Sequence, residues 1–454
     1  MTFTANRFTH LLLDVLLIVG LAAYTLAGIP LASFHGDEGM HIYSVLDYFT
    51  AFVDRNPAEL MTSPPYPIDS RQHLRLLNGS FQRYAAGFAL AITGHTPADM
   101  TAAPGWNWGL SYADNVAGGW LPHQDVLIVA RWASALTFLG SIGAMFGIGM
   151  AIGGRGIAYP ATLLYALHPI ILLNVRRSMM EGSLLTFGLL TLWVGVWIVK
   201  QVYTGKVRGW AWGLLALCGG FALASKHTGA IFLVGAWGWV AIALLTTLRQ
   251  RGWVMTLRQL TLLGISGVVA LALFVALSPA LWNAPFARFG DLLAARTELL
   301  EVQVLVSPDA PTALSYRLWT LVREPFIATP SHFEVVSWGE AAPIVAQIQA
   351  YQASGWAGLQ AGYWLGTPLT LLALWGAVLI FTRRSDYRLP LYGLAFWLVV
   401  TSGALLATPL PWQRYVIPYL PITCLLAALG IHHTVGLVYK FAQRTRLQSS
   451  AHMG

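Results

Sequence analysis

Leu11-Leu12-Leu13-Asp14-Val15-Leu16-Leu17-Ile18-Val19-Gly20-Leu21-Ala22-Ala23-Tyr24-Thr25-Leu26-Ala27-Gly28-Ile29-Pro30 is an apolar run broken by a single acid. It leads directly into Leu31-Ala32-Ser33-Phe34-His35-Gly36-Asp37-Glu38-Gly39-Met40-His41. About 20 apolar residues suffice for a helix to cross a bilayer. Only Arg7 precedes the run as an early basic residue, which gives it the outline of a secretory signal. No small-residue cleavage site follows, so it reads as a retained first span that also targets the chain. The junction brings two adjacent carboxylates to the membrane surface, a costly arrangement unless they are solvated or used.

The rest of the chain has the same character. Of its 454 residues, 56% are hydrophobic, 12% aromatic and 10% charged, and mean hydropathy is +0.60. Soluble domains carry about 25% charged residues, and a soluble globule of this size needs more polar surface. A soluble enzyme, a disordered protein and a disulfide scaffold are excluded. An all-α polytopic membrane protein remains. The formal charge of +8 would hint at nucleic acid in a soluble chain. Here the basic residues lie between apolar runs and no nucleic-acid motif is present, so topology accounts for the charge. Cys218 and Cys424 lie inside apolar runs and read as inert core thiols.

Apolar segments at 11–32, 124–152, 157–175, 180–200, 210–225, 228–247, 259–281, 359–381, 389–408 and 415–439 predict ten spans. The segment 80–94 is shorter and holds Arg83; it fits a span or a helix lying at the interface. Charge distribution decides between them. Suppose the N-terminus is cytoplasmic and 80–94 does not cross. Arg7, Arg155, Lys200, Lys206, Arg208, Arg249, Arg251, Arg258, Arg383, Arg384, Arg388, Lys440, Arg444 and Arg446 then share the cytoplasmic side. These are 14 of the 27 basic residues, against only Asp14 and Asp386 of the 19 acidic ones. A crossing at 80–94 would destroy this pattern. The positive-inside rule therefore predicts both termini inside, in the plasma (inner) membrane. The layout is one transmembrane domain at 1–446 with a short disordered tail at 447–454.

Two large outer loops follow from this layout, at about 33–123 and 282–358. Both are rich in Trp, Tyr, Pro and His. Loops of that length are usually functional. In the second, Tyr316, Trp319, Pro325, Pro330 and Trp338 suit a lid or a lipid-entry groove. A helix is expected to start near Gly36 or Asp37, with Ile42, Val45, Leu46 and Phe49 on its buried side. A carboxylate at that helix end stays ionised through the helix dipole, the state a general base needs. A helix cap with a solvated acid fits the same residues. Three short outer turns carry cations against the charge rule: Arg176-Arg177, Lys226 and Arg414. Each alone suits an ordinary ion pair. Together with Asp37-Glu38 they suit a lipid phosphate site.

In that order these features resemble the GT-C fold glycosyltransferases that use polyprenyl-phosphate sugars, among them protein O-mannosyltransferases and lipid A aminoarabinose transferases. The resemblance rests on Asp37-Glu38 after the first span and on Arg176-Arg177 with Glu181 opening a span. It rests also on Ala224-Ser225-Lys226-His227-Thr228-Gly229 between spans and on Pro411-Trp412-Gln413-Arg414-Tyr415-Val416-Ile417-Pro418 entering the last. Arg75 to Gly79 with Arg83-Tyr84 stands where that family has juxtamembrane helices.

The resemblance implies a membrane sugar transferase, hexosyl or pentosyl and mannosyltransferase-like. Asp37 would deprotonate the acceptor hydroxyl. Glu38 would position the acceptor or tune Asp37. Lys226, Arg414 and one of Arg176 or Arg177 would hold the leaving phosphate. Glu181 would orient an arginine, with His227 and Arg83 in support. The donor would be a sugar on undecaprenyl or dolichyl phosphate, and the acceptor a protein, lipid or glycan. No cofactor is required, although His35, Asp37, Glu38 and His41 offer a divalent metal weak candidates, Asp37 and His41 being spaced i, i+4. His123, His332, Glu334 and Glu340 read as solvated loop residues that could serve the acceptor. Two alternatives share parts of this pattern: a glycan ligase or polymerase using a diphosphate donor, and a lipid or sugar transporter.

Overall fold

The computed structural model describes residues 2–68, 70–101, 105–307, 312–382, 389, 391–410 and 412–451. Arg383, Arg384, Asp386, Arg388 and Pro411 lie outside the described residues. Helices make up the regular structure, and no strand occurs among the described residues. In chain order the principal helices begin with α1 (Thr2–Ala27), α2 (Gly36–Ser44), α3 (Arg71–Leu77), α4 (Ser80–Ile92) and α5 (Gln124–Gly153). Next come α6 (Arg155–Ala166), α7 (Pro169–Val175), α8 (Glu181–Tyr203), α9 (Trp210–Ser225), α10 (Gly229–Thr246) and α11 (Trp253–Leu277). The last are α12 (Pro285–Leu305), α13 (Leu314–Arg323), α14 (Ala342–Ala353), α15 (Gly362–Thr382), α16 (Tyr392–Ala407) and α17 (Leu420–Ala451).

Among the described residues, seven helical segments are long and apolar enough to cross a membrane, or eight with the pair α6–α7, bent by 57°, taken as one span. The other two expected spans are α9 and α16, apolar helices of 16 residues each. Sixteen residues reach about 24 Å at about 1.5 Å per residue, less than the ~30 Å hydrocarbon core. The two short helices and the bent pair are the three that hand the chain to a cation: α9 to Lys226, α16 to the segment reaching Arg414, and α7 to Arg176-Arg177. A shortened or broken helix lets such a turn sit recessed among its neighbours. The segment 80–94 is the 13-residue helix α4, too short to span and packed on α5. The final helix runs to Ala451, so 447–451 extend it where a disordered tail was expected. No Gly or Pro stands between Lys440 and Ala451 to stop it; residues 452–454 lie outside the described residues.

The core is built around α8, which packs on α5, α9 and α10. Its Leu185, Leu189, Val196, Ile198 and Val199 are fully buried, as expected of a helix that is apolar all round. At the periphery, α1 and α11 leave rows of Leu and Val exposed, a surface suited to lipid tails rather than water. Asp14 within α1 is held by Arg155 at 2.7 Å and by the Tyr159 hydroxyl at 2.7 Å, tying α1 to α6. Cys218 and Cys424 are buried and unbridged.

Candidate functional site

The site starts where α1 gives way to α2. His35 caps α2: its Nδ1 accepts from the Asp37 N–H at 3.1 Å, and the Glu38 carboxylate accepts the His35 N–H at 3.0 Å. Ile42, Val45 and Phe49 are buried as expected and fix the helix against α4 and α5, with Leu46 half-buried beside them. This leaves Asp37 in the first turn, where the helix dipole favours its charge, with a side chain 22% exposed. Arg414 donates to it from Nη1 at 2.5 Å. The Arg414 Nε lies 2.6 Å from Glu334, and the other Glu334 oxygen lies 2.9 Å from His35 Nε2. Asp37, Arg414, Glu334 and His35 thus form a closed ring that joins α2, the second large loop and the entrance to the last span.

Burial pushes the Asp37 carboxyl up, and the charge of Arg414 overrides it and holds the group below the usual carboxylate range. Glu334 is held well below for the same reasons. Both are therefore ionised at neutral pH. Gln413 anchors the arginine's segment by donating to Glu324 at 2.7 Å and to the Thr329 carbonyl at 2.8 Å.

A second pair faces this ring. Lys226 Nζ lies 2.6 Å from Glu181. Between the two pairs sits His41, which feels Asp37, Glu181, Arg414 and Lys226; burial lowers it to about 4, so it is neutral. The Lys226 turn is pressed against the corner between α3 and α4: a Cβ at Gly79 would stand 2.2 Å from the Ser225 carbonyl oxygen. Only glycine permits that approach. His227 is lowered to about 3, by burial first and then by Arg296, Arg83 and Lys226. Arg296 projects from α12 into this region, half-buried. Its charge is felt at His227, and it in turn feels Tyr415 and Arg414. No hydrogen bond or ion pair to Arg296 occurs among the described residues.

The remaining expected residues lie behind this surface. Glu38 is fully buried and its two oxygens take four donors: Arg131 Nε and Nη2, each at 2.8 Å, Ser178 N–H at 2.8 Å and His35 N–H at 3.0 Å. Arg177 donates to Ser33 and to the His332 carbonyl, and burial lowers its guanidinium to about 10 against the pull of Glu38 and Glu334. Arg176 is wholly enclosed, donating to the Thr25, Tyr24 and Trp356 carbonyls and to the Tyr351 hydroxyl. Its guanidinium fills the space that a Cβ at Gly28 would occupy, 2.3 Å from Cζ. The two arginines brace the first span, Arg176 through Tyr24 and Thr25 and Arg177 through Ser33 just beyond it. Arg83 is buried beneath the Lys226 turn on Asp47, at 2.5 Å.

Of the weak metal candidates, both His35 ring nitrogens are engaged, and His41 is buried. Among the described residues no three His, Cys, Asp or Glu side chains converge as a metal site. Glu334, read from sequence as a solvated loop residue, is instead a member of the ring. Two residues escaped the sequence reading, Arg131 and Arg296. Arg131 carried a usable signal, since a lone arginine inside the apolar run 124–152 must find a partner. Arg296 carried none, because one more arginine on an amphipathic loop helix is ordinary.

No family model matches the chain, and no curated protein matches its sequence. Solved structures do match in overall path. The oligosaccharyltransferase AglB from Archaeoglobus fulgidus, in complex with an inhibitory peptide and a dolichol-phosphate, is 13% identical over 96% of this chain and 51% of its own, with a TM-score of 0.47. ArnT from Cupriavidus metallidurans, bound to undecaprenyl phosphate, is 13% identical over 92% of this chain and 59% of its own, with a TM-score of 0.49. The chain spans little more than half the length of these structures.

Proposed function

We propose that this chain is a GT-C type integral-membrane glycosyltransferase, moving a sugar from a polyprenyl phosphate to an acceptor hydroxyl. One observation carries the reading: an ionised carboxylate, Asp37, at a helix start faces a group of cations, Arg414, Lys226 and Arg296, at the membrane-proximal end of the bundle. Asp37 Oδ takes the proton of the acceptor hydroxyl. The acceptor oxygen bonds to the anomeric carbon from the face opposite the phosphate. The bond from that carbon to the phosphate oxygen breaks, and the configuration inverts. Polyprenyl phosphate leaves with the bonding electrons, its charge met by the three cations. These side chains can stabilise a single phosphate leaving group without a metal.

In the resting arrangement Arg414 occupies Asp37. A donor phosphate competes for that guanidinium, while Glu334 keeps it anchored, so donor binding frees the base. Glu181 sets the position of Lys226. Glu38, with Arg131 and Arg177, positions the start of α2 from behind. His227 and Arg83 support the Lys226 turn. A lipid-linked donor suits α12, which turns Phe286, Phe289 and Leu293 outward and Leu292 and Ala295 inward, with Arg296 half-buried between the two faces, as a helix lying in the interface does. The distribution of basic residues supports an extracytoplasmic site. Charges gathered at one end, rather than at mid-bundle, favour transfer over transport.

Photocrosslinking with a polyprenyl phosphate bearing a reactive head-proximal isoprene tests the reading. Adducts are expected on α12 and around Lys226, diminished in Lys226→Gln and Arg414→Gln. Adducts confined to the loops at the opposite end of the bundle would refute it.

A further inference from the structure

Beneath α3 and α4 lies a second group of cations, gathered on Asp47. Asp47, 3% exposed, receives Arg75 at 2.7 Å, Arg83 at 2.5 Å and Arg71 at 3.3 Å. Arg75 and Arg83 already satisfy both carboxylate oxygens. Among the described residues, Asp47 is the one carboxylate paired with these three guanidinium groups. Two of the three arginines are nearly buried, at 8% and 6% exposed side chain, where unmatched charge is costly. The Nε of Arg83 is buried without a hydrogen-bond partner among the described residues. A small cleft opens against these groups. Asp47, Arg75, Arg83, Ser80, Tyr84 and Ser278 are among its lining residues, so an entering anion meets guanidinium and hydroxyl donors.

The same unit carries an apolar edge. Phe52, Val53, Phe88 and Ile92 are all more than half exposed, and Phe52 packs edge-on against Tyr84 at 5.2 Å. Phe88 and Ile92 are one helical turn apart on α4 and share its outer face. A cationic cleft beside exposed apolar side chains matches a molecule with an anionic head and a hydrocarbon tail.

We infer that the cleft lined by Arg75 and Arg83 over Asp47, with Arg71 reaching the same carboxylate from its exposed side, binds the phosphate headgroup of an anionic bilayer phospholipid, whose acyl chains lie along Phe52, Val53, Phe88 and Ile92. The site is distinct from the Asp37 surface and does not depend on the transferase reading. The lipid phosphate offers an acceptor to the donors left over, the Arg83 Nε among them, and the lipid fastens α3 and α4 to the membrane plane.

Thermal unfolding of the purified full chain in detergent tests this. The additives are short-chain phosphatidylglycerol, matched phosphatidylcholine and inorganic phosphate. Phosphatidylglycerol is expected to stabilise the wild type well beyond the other two. Half-saturation should rise about tenfold in Arg71→Gln and in Arg83→Gln, the loss of one charge-assisted contact. Lys226→Gln should respond as the wild type does. Arg71 is 39% exposed, so its substitution leaves the fold intact should Arg83→Gln not fold. Equal stabilisation by inorganic phosphate or phosphatidylcholine overturns the assignment. So does an unchanged response in Arg71→Gln, or loss of the response in Lys226→Gln alone.

Discussion

Glu38→Gln changes one atom at the most enclosed carboxylate of the site. Each Glu38 oxygen accepts two donors: Oε1 from Arg131 Nε and Ser178 N–H, Oε2 from Arg131 Nη2 and His35 N–H. A glutamine amide has one acceptor oxygen. Whichever way it turns, its NH2 meets one of those donor pairs, and Arg131, 2% exposed, loses its counter-charge. A buried pair broken on one side costs about 3–5 kcal/mol, a large part of the ~5–15 kcal/mol that holds a domain folded. Denaturant unfolding in detergent should show a loss of that size. Glu38→Gln combined with Arg131→Met removes the stranded charge and should lose less than the single substitution.

The pH dependence has a definite sign. Burial raises the Glu38 carboxyl, but Arg131 holds it below its ordinary value. Its contribution is therefore present above the unfolded value of about 4.3 and disappears as pH falls through the folded one. The gap between wild type and variant should stay constant from pH 8 to pH 5 and close only in stronger acid. A loss below about 1 kcal/mol at pH 7 would refute the view that Glu38 and Arg131 form the support of α2.

Arg414→Gln removes the charge that holds Asp37 down against burial, so the Asp37 carboxyl should rise. The acid limb of the residual kcat/KM profile should then move toward neutral pH; an unmoved limb would dissociate Asp37 from the titration. Gly28→Ala places a methyl in the Arg176 guanidinium, which its four partners hold in place. It should destabilise by about 1–3 kcal/mol in thermal unfolding, and a neutral result would show that Arg176 can move aside.

Much of this molecule can be read from its sequence, for identifiable reasons. Apolar runs must cross or lie in the bilayer, so most helices appear within a few residues of where hydropathy puts them, while α1 starts already at Thr2 and α17 runs on to Ala451. The Asp37 cap and the cations at Lys226 and Arg414 stand out because charge beside an apolar run is costly and must be used. What periodicity cannot convey is depth. Arg176 and Arg177 look like a surface turn, yet both are buried beyond the bend between α6 and α7, and carbonyls and hydroxyls accept from them. Glu38 and Asp37 are neighbours in sequence, but successive residues of a helix point about 100° apart; one faces the open site and the other Arg131. Glu334 and Arg296 belong to a long loop whose path depends on packing between distant segments.

Sugar transfer itself is the most direct measurement of the central claim. Membranes containing the wild type or Asp37→Asn are incubated with radiolabelled polyprenyl-phosphate sugars, and label is followed into protein, lipid and glycan. The account predicts transfer with the wild type, none with Asp37→Asn, and an inverted anomeric configuration in the product. Equal transfer by both proteins, or a product of retained configuration, would contradict it.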